Sequence, residues 1–225
     1  MVLTITLLGG ESTGKSTLAQ ALQRHLNDTL GISTVRVPEH LRTWCETMGR
    51  APHRHEQAER AQEQARLIGQ ASAQPGVRVV VADTTALMVA AYSDLYFNDR
   101  SLYPAALAQQ RRYSLSLLMG LDLPWVPDGL FRDSPAVREA TDAVLRRELQ
   151  VAGIAFQTIY GEGDARLQQT LRAVERVLGQ PLVAPDRSLM EARVAWNCEK
   201  CSDPACEHRL FTQLLQQSTL LPTPH

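Results

Sequence analysis

The chain has 225 residues, of which 44% are hydrophobic and 21% charged, and its formal net charge is −1. This length predicts one domain with a small appendage, and the near-zero charge argues against binding to nucleic acid or an anionic membrane. No apolar run approaches the ~20 residues that a membrane span requires. Residues 1–8 lack the basic start of a signal peptide, so we expect a cytoplasmic protein with reduced cysteines.

The first motif lies between a predicted strand and a predicted helix. Residues 2–8 form an apolar, β-branched run, and Leu18, Leu22 and Leu26 recur every fourth residue, as on one face of a helix. The segment between them reads G-x-x-x-x-G-K-S and comprises Gly9, Gly10, Glu11, Ser12, Thr13, Gly14, Lys15, Ser16 and Thr17. This strand–loop–helix context favours a phosphate-binding loop over a chance glycine turn.

The residue types of this loop fit ATP and Mg²⁺. Gly9 and Gly14 permit backbone conformations that a Cβ forbids, so that backbone N–H groups can approach a phosphate chain. We expect Lys15 to reach the β- and γ-phosphates and the Ser16 hydroxyl to bind Mg²⁺. Among 23 basic residues only Lys15 and Lys200 are lysines, and one of the two stands where the loop requires it.

Two acidic residues follow predicted strands. Residues 31–37 predict a second strand, after which comes Glu39, and residues 77–82 predict a third strand that ends at Asp83. Open α/β sheets bind ligands at this end of their strands. Glu39 is therefore a candidate general base or substrate anchor, with a solvated loop glutamate as the alternative. Asp83 fits a Walker B aspartate that holds Mg²⁺ opposite Ser16, with the N-cap of the next helix as the alternative.

Two helices are predicted on either side of the third strand. Residues 53–72 are polar with little apolar face, which predicts a helix at the surface. Residues 85–97 predict a second helix, and it carries Tyr92, Tyr96 and Phe97. These aromatic side chains either stack on a planar ring of a ligand or belong to the core.

The segment after the fourth predicted strand, residues 113–121, is rich in turn residues. Trp125 could form the wall of a base or pyridine pocket, and Asp128 begins a tight turn with Gly129. Arg132 stands where the lids of kinases supply a guanidinium to the transferring phosphate. The alternative is a packed connecting loop with Arg132 in solvent.

The remaining pattern completes an α/β domain. A helix from Ser134 and Pro135 to about residue 152, a strand over 154–160 and a helix over 164–178 follow in order. Alternating strands and helices predict a parallel sheet covered on both faces. We therefore predict a P-loop NTPase-type three-layer sandwich with a five-stranded parallel sheet over residues 1–180.

Residues 181–225 form a predicted C-terminal extension. It contains Cys198, Cys201, Cys206 and His208, which are enough ligands for a closed tetrahedral Zn²⁺ site of structural type. A helix starting at Asp203 would place Cys206 and His208 on different faces, which argues against this ligand set. A redox-active or simply reduced thiol cluster, and a tail without a role, remain the alternatives.

Three segments carry a resemblance to a known family. GGESTGKST at 9–17, the strand end at Asp83, and LPWVPDGLFR at 123–132 resemble the ribosylnicotinamide kinase domain of bifunctional bacterial NAD-biosynthesis regulators. They are also similar to related stand-alone proteins described as AAA-type ATPases. The resemblance covers roughly residues 1–180. Its most discriminating element is the W-x-x-D-G-x-x-R segment.

The resemblance implies ATP-dependent phosphorylation of the ribose 5′-hydroxyl of nicotinamide riboside. By position it assigns phosphate and Mg²⁺ to Lys15 and Ser16, the metal or the acceptor hydroxyl to Asp83, and a lid to Asp128 and Arg132. The chain has no helix-turn-helix and no adenylyltransferase segment before the loop. We therefore expect it neither to bind an operator nor to make the dinucleotide.

Two functional hypotheses follow. The first is a Mg·ATP-dependent small-molecule kinase in which Glu39 or Asp83 orients the acceptor hydroxyl and Arg132 stabilises charge on the γ-phosphoryl group. The second is a nucleotide-dependent regulatory ATPase whose C-terminal extension binds a protein partner. A nucleic-acid-binding zinc knuckle is disfavoured because the surrounding charge is not basic.

Overall fold

The computed structural model describes residues 2–126 and 134–183. Its strands are β1 (Leu3–Leu8), β2 (Thr34–Val37), β3 (Val79–Asp83), β4 (Leu115–Met119) and β5 (Gln157–Ile159). Its helices are α1 (Lys15–Arg24), α2 (His40–Met48), α3 (Gln57–Ser72), α4 (Ala86–Phe97), α5 (Tyr103–Gln110), α6 (Pro135–Val151) and α7 (Gly163–Leu178). A π-helical turn (His25–Thr29) extends α1, and a 3₁₀ turn (Arg54–Glu56) precedes α3.

The five strands form one parallel sheet in the order β2-β3-β1-β4-β5. The predicted fold class is thereby confirmed. The central strand β1 pairs with β3 on one side and β4 on the other, with Leu7 beside Asp83 and Leu8 beside Leu118. Consequently the segments that follow β2, β3 and β1 leave the sheet side by side at its carboxyl edge.

Helices cover both faces of the sheet. Successive side chains of each strand point to opposite faces, so each face presents apolar side chains to its helices. On one face Ile5 and Leu7 pack with Leu22 of α1 and Leu171 of α7. On the other face Leu118 belongs to a cluster with α4, α5 and α6, and Val80 packs with Ile68 of α3. The buried strands read as continuous apolar runs, as expected for a parallel sheet with two covered faces.

The prediction that residues 53–72 form a helix at the surface is wrong in one respect. Helix α3 buries one face against α4, α2 and strands β2 and β3, but much of this face is polar, with Gln57, Arg60 and Gln64 all buried. Hydrophobic periodicity misses such a face because its side chains are stabilised by hydrogen bonds instead of apolar contact.

Several sequence predictions fall outside the described residues. They concern Asp128 and Arg132, in 127–133, and the C-terminal cluster, within 184–225, comprising Cys198, Cys201, Cys206 and His208. The division of the chain at residue 180 also stays a prediction. Among the helices that the structure describes, none has the length and apolar character needed to span a membrane.

Candidate active site

The phosphate-binding loop begins directly after β1 and ends in the first turn of α1. Gly9 has φ +147°, and a Cβ there would lie 3.0 Å from Cβ of Met119. Gly14 has φ +75° and caps the start of α1, and a Cβ there would lie 2.9 Å from a guanidinium nitrogen of Arg166. Both glycines are thus required by backbone conformation and by close packing, as the motif predicts.

Lys15 lies along this loop. Its ammonium group donates hydrogen bonds to the carbonyl oxygens of Gly9 at 2.7 Å and Gly10 at 2.9 Å, and the residue is buried. The first N–H groups of α1 have no partner within their own helix. A cation and the positive end of a helix dipole therefore lie at one place, an arrangement that favours a phosphate group.

Two buried arginines lie beside the loop, and one of them donates a hydrogen bond to it. Arg166 of α7 is 4% exposed and donates to the carbonyl of Thr13 at 2.7 Å and to the carboxylate of Asp122 at 3.2 Å. Arg138 of α6 donates to the carbonyl of Leu123 at 2.8 Å. The contact between Arg166 and Thr13 is not evident in the sequence, because the two residues are 153 apart.

The end of the described segment before residue 127 lies against the same loop. The Ser12 hydroxyl donates to the carbonyl of Val126 at 2.8 Å and accepts from its N–H at 3.1 Å. Trp125 is half-buried, but it is not among the residues that line the adjacent cavity. Its predicted role as a wall of a ring-binding pocket stays a prediction.

Asp83 does not cap the next helix. Thr85 is the N-cap of α4, and its hydroxyl accepts from the N–H of Leu87 at 3.2 Å. Asp83 is 2% exposed, and its nearest cation is Arg36 at 3.9 Å. Its Oδ1 has no hydrogen-bond partner among the described residues, so the carboxylate retains capacity for a ligand.

These features fit a Mg²⁺ site. At sites of phosphate transfer, Mg²⁺ is held by one or two side chains together with phosphate oxygens and water. Ser16, in the first turn of α1, is exposed, and Asp83 ends the strand beside β1. Ser16 and Asp83 are the residues that would hold the ion, whose chemistry there would be neutralisation of charge on bound phosphate oxygens.

The residue after Asp83 is strained. Thr84 has φ +91°, a conformation that a β-branched residue rarely adopts, and its hydroxyl is buried without a partner among the described residues. Such strain persists where the surroundings over-determine the backbone, and it is concentrated at functional sites.

Glu39 lies between β2 and α2 and faces the same region. Loss of hydration on burial raises its pKa above the ordinary value, while the nearby Lys15 lowers it and Asp83 raises it further. The loss of hydration thus outweighs the opposite influence of Lys15 on the pKa of Glu39. Glu39 follows β2, Asp83 ends β3 and Lys15 follows β1, so the strand order places the three predicted residues at one edge of the sheet.

A cavity of about 530 Å³ opens between the phosphate-binding loop and α2 and α4. Seven loop residues line it, namely Glu11, Ser12, Thr13, Gly14, Lys15, Ser16 and Thr17. Glu39 also lines it, as do Tyr92, Tyr96 and Phe97 of α4. Tyr92 also packs against the hydrophobic core, so for this residue both predicted environments apply, and all three aromatic side chains are accessible to a ligand in the cavity.

Sequence reasoning missed the wall that α2 contributes. Leu41, Arg42 and Cys45 line the cavity, and Arg50 follows with a bidentate ion pair to Glu56. A signal was present, because Leu41, Trp44, Cys45 and Met48 follow the spacing of one helix face.

The AAA domain family matches residues 4–166 of the chain. A comparison with curated proteins finds no match. Among solved structures, a NadR protein in complex with NR superposes with a TM-score of 0.69 at 21% identity, over 82% of this chain and 54% of that one. A NadR protein in complex with NAD and AMP-PNP gives a TM-score of 0.65 at 20% identity, over 81% and 51%. The chain thus spans about half the length of these structures, and the likeness establishes the fold.

Proposed function

The chain belongs to the AAA domain family, and on this premise we propose that it is a Mg·ATP-dependent small-molecule kinase. The acceptor that we propose is the ribose 5′-hydroxyl of nicotinamide riboside or of a similar nucleoside. The observation that carries the proposal is the cavity that joins the phosphate-binding loop to Glu39 and to three aromatic side chains. An apolar, aromatic-walled cavity next to the phosphate-binding loop is the kind of place where a planar organic substrate binds.

The proposed roles follow from chemistry and position. Lys15 and the first turn of α1 bind the phosphates, and Ser16 and Asp83 hold Mg²⁺. Glu39 accepts the proton of the attacking hydroxyl, and its raised pKa brings its basicity closer to neutral pH. Catalysis of phosphoryl transfer depends mostly on positioning and electrostatics, which these groups would supply.

The acceptor class is supported by the walls of the cavity. Tyr92 and Tyr96 lie with ring centroids 6.2 Å apart, and Phe97 is adjacent. Aromatic faces attract cations, and the pyridinium ring of nicotinamide riboside is both planar and cationic. A volume of about 530 Å³ lies within the range of small-molecule sites. The solved NadR protein in complex with NR has a similar fold.

The test is phosphate transfer from Mg·ATP across a panel of nucleosides and nicotinamide riboside, with the product identified by mass. We expect nicotinamide mononucleotide to form well above the rate of background hydrolysis. Lys15→Ala should lower this rate by about 10²-fold or more, as for the loss of a group that stabilises transition-state charge.

The matched control is Lys200→Ala, which removes the other lysine of the chain. It should leave the rate unchanged. If no acceptor is phosphorylated while slow ATP loss persists, the kinase proposal is wrong. A Lys15→Ala protein with full turnover would equally exclude the proposed site.

A further inference from the structure

Gln64 lies on the buried face of α3 and is 1% exposed. Its side-chain oxygen accepts from the N–H of His40 at 2.8 Å. Its side-chain nitrogen donates to the carbonyl oxygens of Pro38 at 3.3 Å and Thr84 at 3.4 Å. The partners determine this orientation of the amide. In the reverse orientation the amide oxygen would face two carbonyl oxygens and the NH₂ group would face the N–H of His40.

The three partners of Gln64 are all backbone groups beside the two candidate catalytic carboxylates. Pro38 and His40 flank Glu39 on either side, and Thr84 directly follows Asp83. The side chain of one residue thus bridges the segment after β2 to the segment after β3.

An apolar residue would be the ordinary choice at this buried position. Ile68, one turn further along α3, is buried in that way against Val80. A buried amide is costly unless all of its hydrogen-bonding groups find partners, and Gln64 satisfies this condition only through the two loops. The strained backbone of Thr84 also requires external support, and the hydrogen bond from Gln64 to its carbonyl provides part of it.

We propose that Gln64 is a positioning residue that sets the separation and orientation of Glu39 relative to Asp83. The inference rests on the proposed kinase function, in which these residues serve the acceptor hydroxyl and Mg²⁺. Small displacements of such groups lower turnover strongly, whereas they change nucleotide binding little. Gln64 has no hydrogen bond to the phosphate-binding loop among those found in the described residues.

The test compares Gln64→Met with Gln110→Met. Gln110 is also 1% exposed and also makes three hydrogen bonds, but its partners are the side chains of Thr85, Thr6 and Ser116. Both variants should lose similar thermal stability. At a temperature where both are folded by circular dichroism, only Gln64→Met should lower kcat, by about tenfold or more. Its affinity for a non-hydrolysable ATP analogue in saturating Mg²⁺ should be unchanged.

Equal kcat losses in the two variants, or full kcat in Gln64→Met, would overturn the positioning role. Should Gln64→Met fail to fold, Gln64→Asn takes its place, because it stays neutral and polar but is one methylene shorter, so that it cannot reach all three partners. The same kcat loss is expected from it, and full kcat would again overturn the proposal.

Failure of the kinase proposal is recognised separately, by a wild-type protein that phosphorylates no acceptor. The Mg²⁺ dependence of analogue binding, measured by calorimetry, then decides the inference. A higher half-saturating Mg²⁺ concentration in the Gln64 variant alone supports displacement of Asp83, and an unchanged concentration overturns it.

Discussion

The phosphate side and the acceptor side of the candidate site differ in how they are built. On the phosphate side, residues 9–17 form one continuous segment, and the interactions with phosphate would come mainly from backbone groups and Lys15. On the acceptor side, the cavity wall comes from separate elements, among them α2, the start of α3 and α4, and it is made of side chains. The first is a local structure, and the second exists only in the folded protein.

The two sides also differ in what supports them. Arg166 stabilises the phosphate-binding loop with a charged group, whereas the neutral amide of Gln64 bridges the segments beside Glu39 and Asp83. A neutral bridge adds no charge next to the acidic residues, so it fixes their backbone without neutralising them. Substitutions on the two sides should therefore separate nucleotide affinity from turnover.

The largest effect is expected on the acceptor side, from Glu39→Gln. It removes the proposed base and should lower kcat by about 10²-fold or more, while the Kd for ATP stays constant. Glu139→Gln, on an exposed residue of α6, is the control and should retain full turnover. A Glu39→Gln protein with normal kcat would remove Glu39 from the mechanism.

The same variant should be more stable than the wild type. The pKa of Glu39 in the folded protein is raised above 4.5, so its ionisation destabilises the fold as the pH rises through the interval above that value. A glutamine at this position does not ionise, so it avoids this loss of stability. The melting temperature of the Glu39→Gln variant should exceed that of the wild type at about pH 7.5, and the difference should vanish near about pH 4.

On the phosphate side, Arg166→Met should weaken ATP binding by about tenfold or more, because a hydrogen bond from a charged group to the Thr13 carbonyl is lost. The acceptor KM should change little. Arg176→Met, on an exposed residue of the same helix, serves as the control. If Arg166→Met changed the acceptor KM and left the Kd for ATP unaltered, the division into two sides would be wrong.

The smallest effect is expected for Tyr96→Ala. Loss of one aromatic contact should raise the acceptor KM by about two- to tenfold, with the Kd for ATP unchanged. Tyr160→Ala is a close control, since Tyr160 is 51% exposed and Tyr96 is 48% exposed, but Tyr160 does not line the cavity. Equal KM values in the two variants would show that α4 does not contact the acceptor.

The sequence alone determined the phosphate side, the fold class and the two strand-end carboxylates. These follow from short-range patterns, since the phosphate-binding loop needs only nine consecutive residues between a strand and a helix. The caps of α4 and α6 at Thr85 and Ser134 are local in the same sense, because each hydroxyl bonds an N–H within three residues.

Only the tertiary structure decided the strand order, and with it the convergence of Glu39, Asp83 and Lys15. It also decided that α3 buries polar side chains and that Gln64 reaches backbone groups 20 to 26 residues away in sequence. A buried glutamine has no periodic signature, because its stability depends on partners that other elements bring to it. The parts of the acceptor side that α2 and the buried face of α3 supply could therefore not be predicted from local patterns.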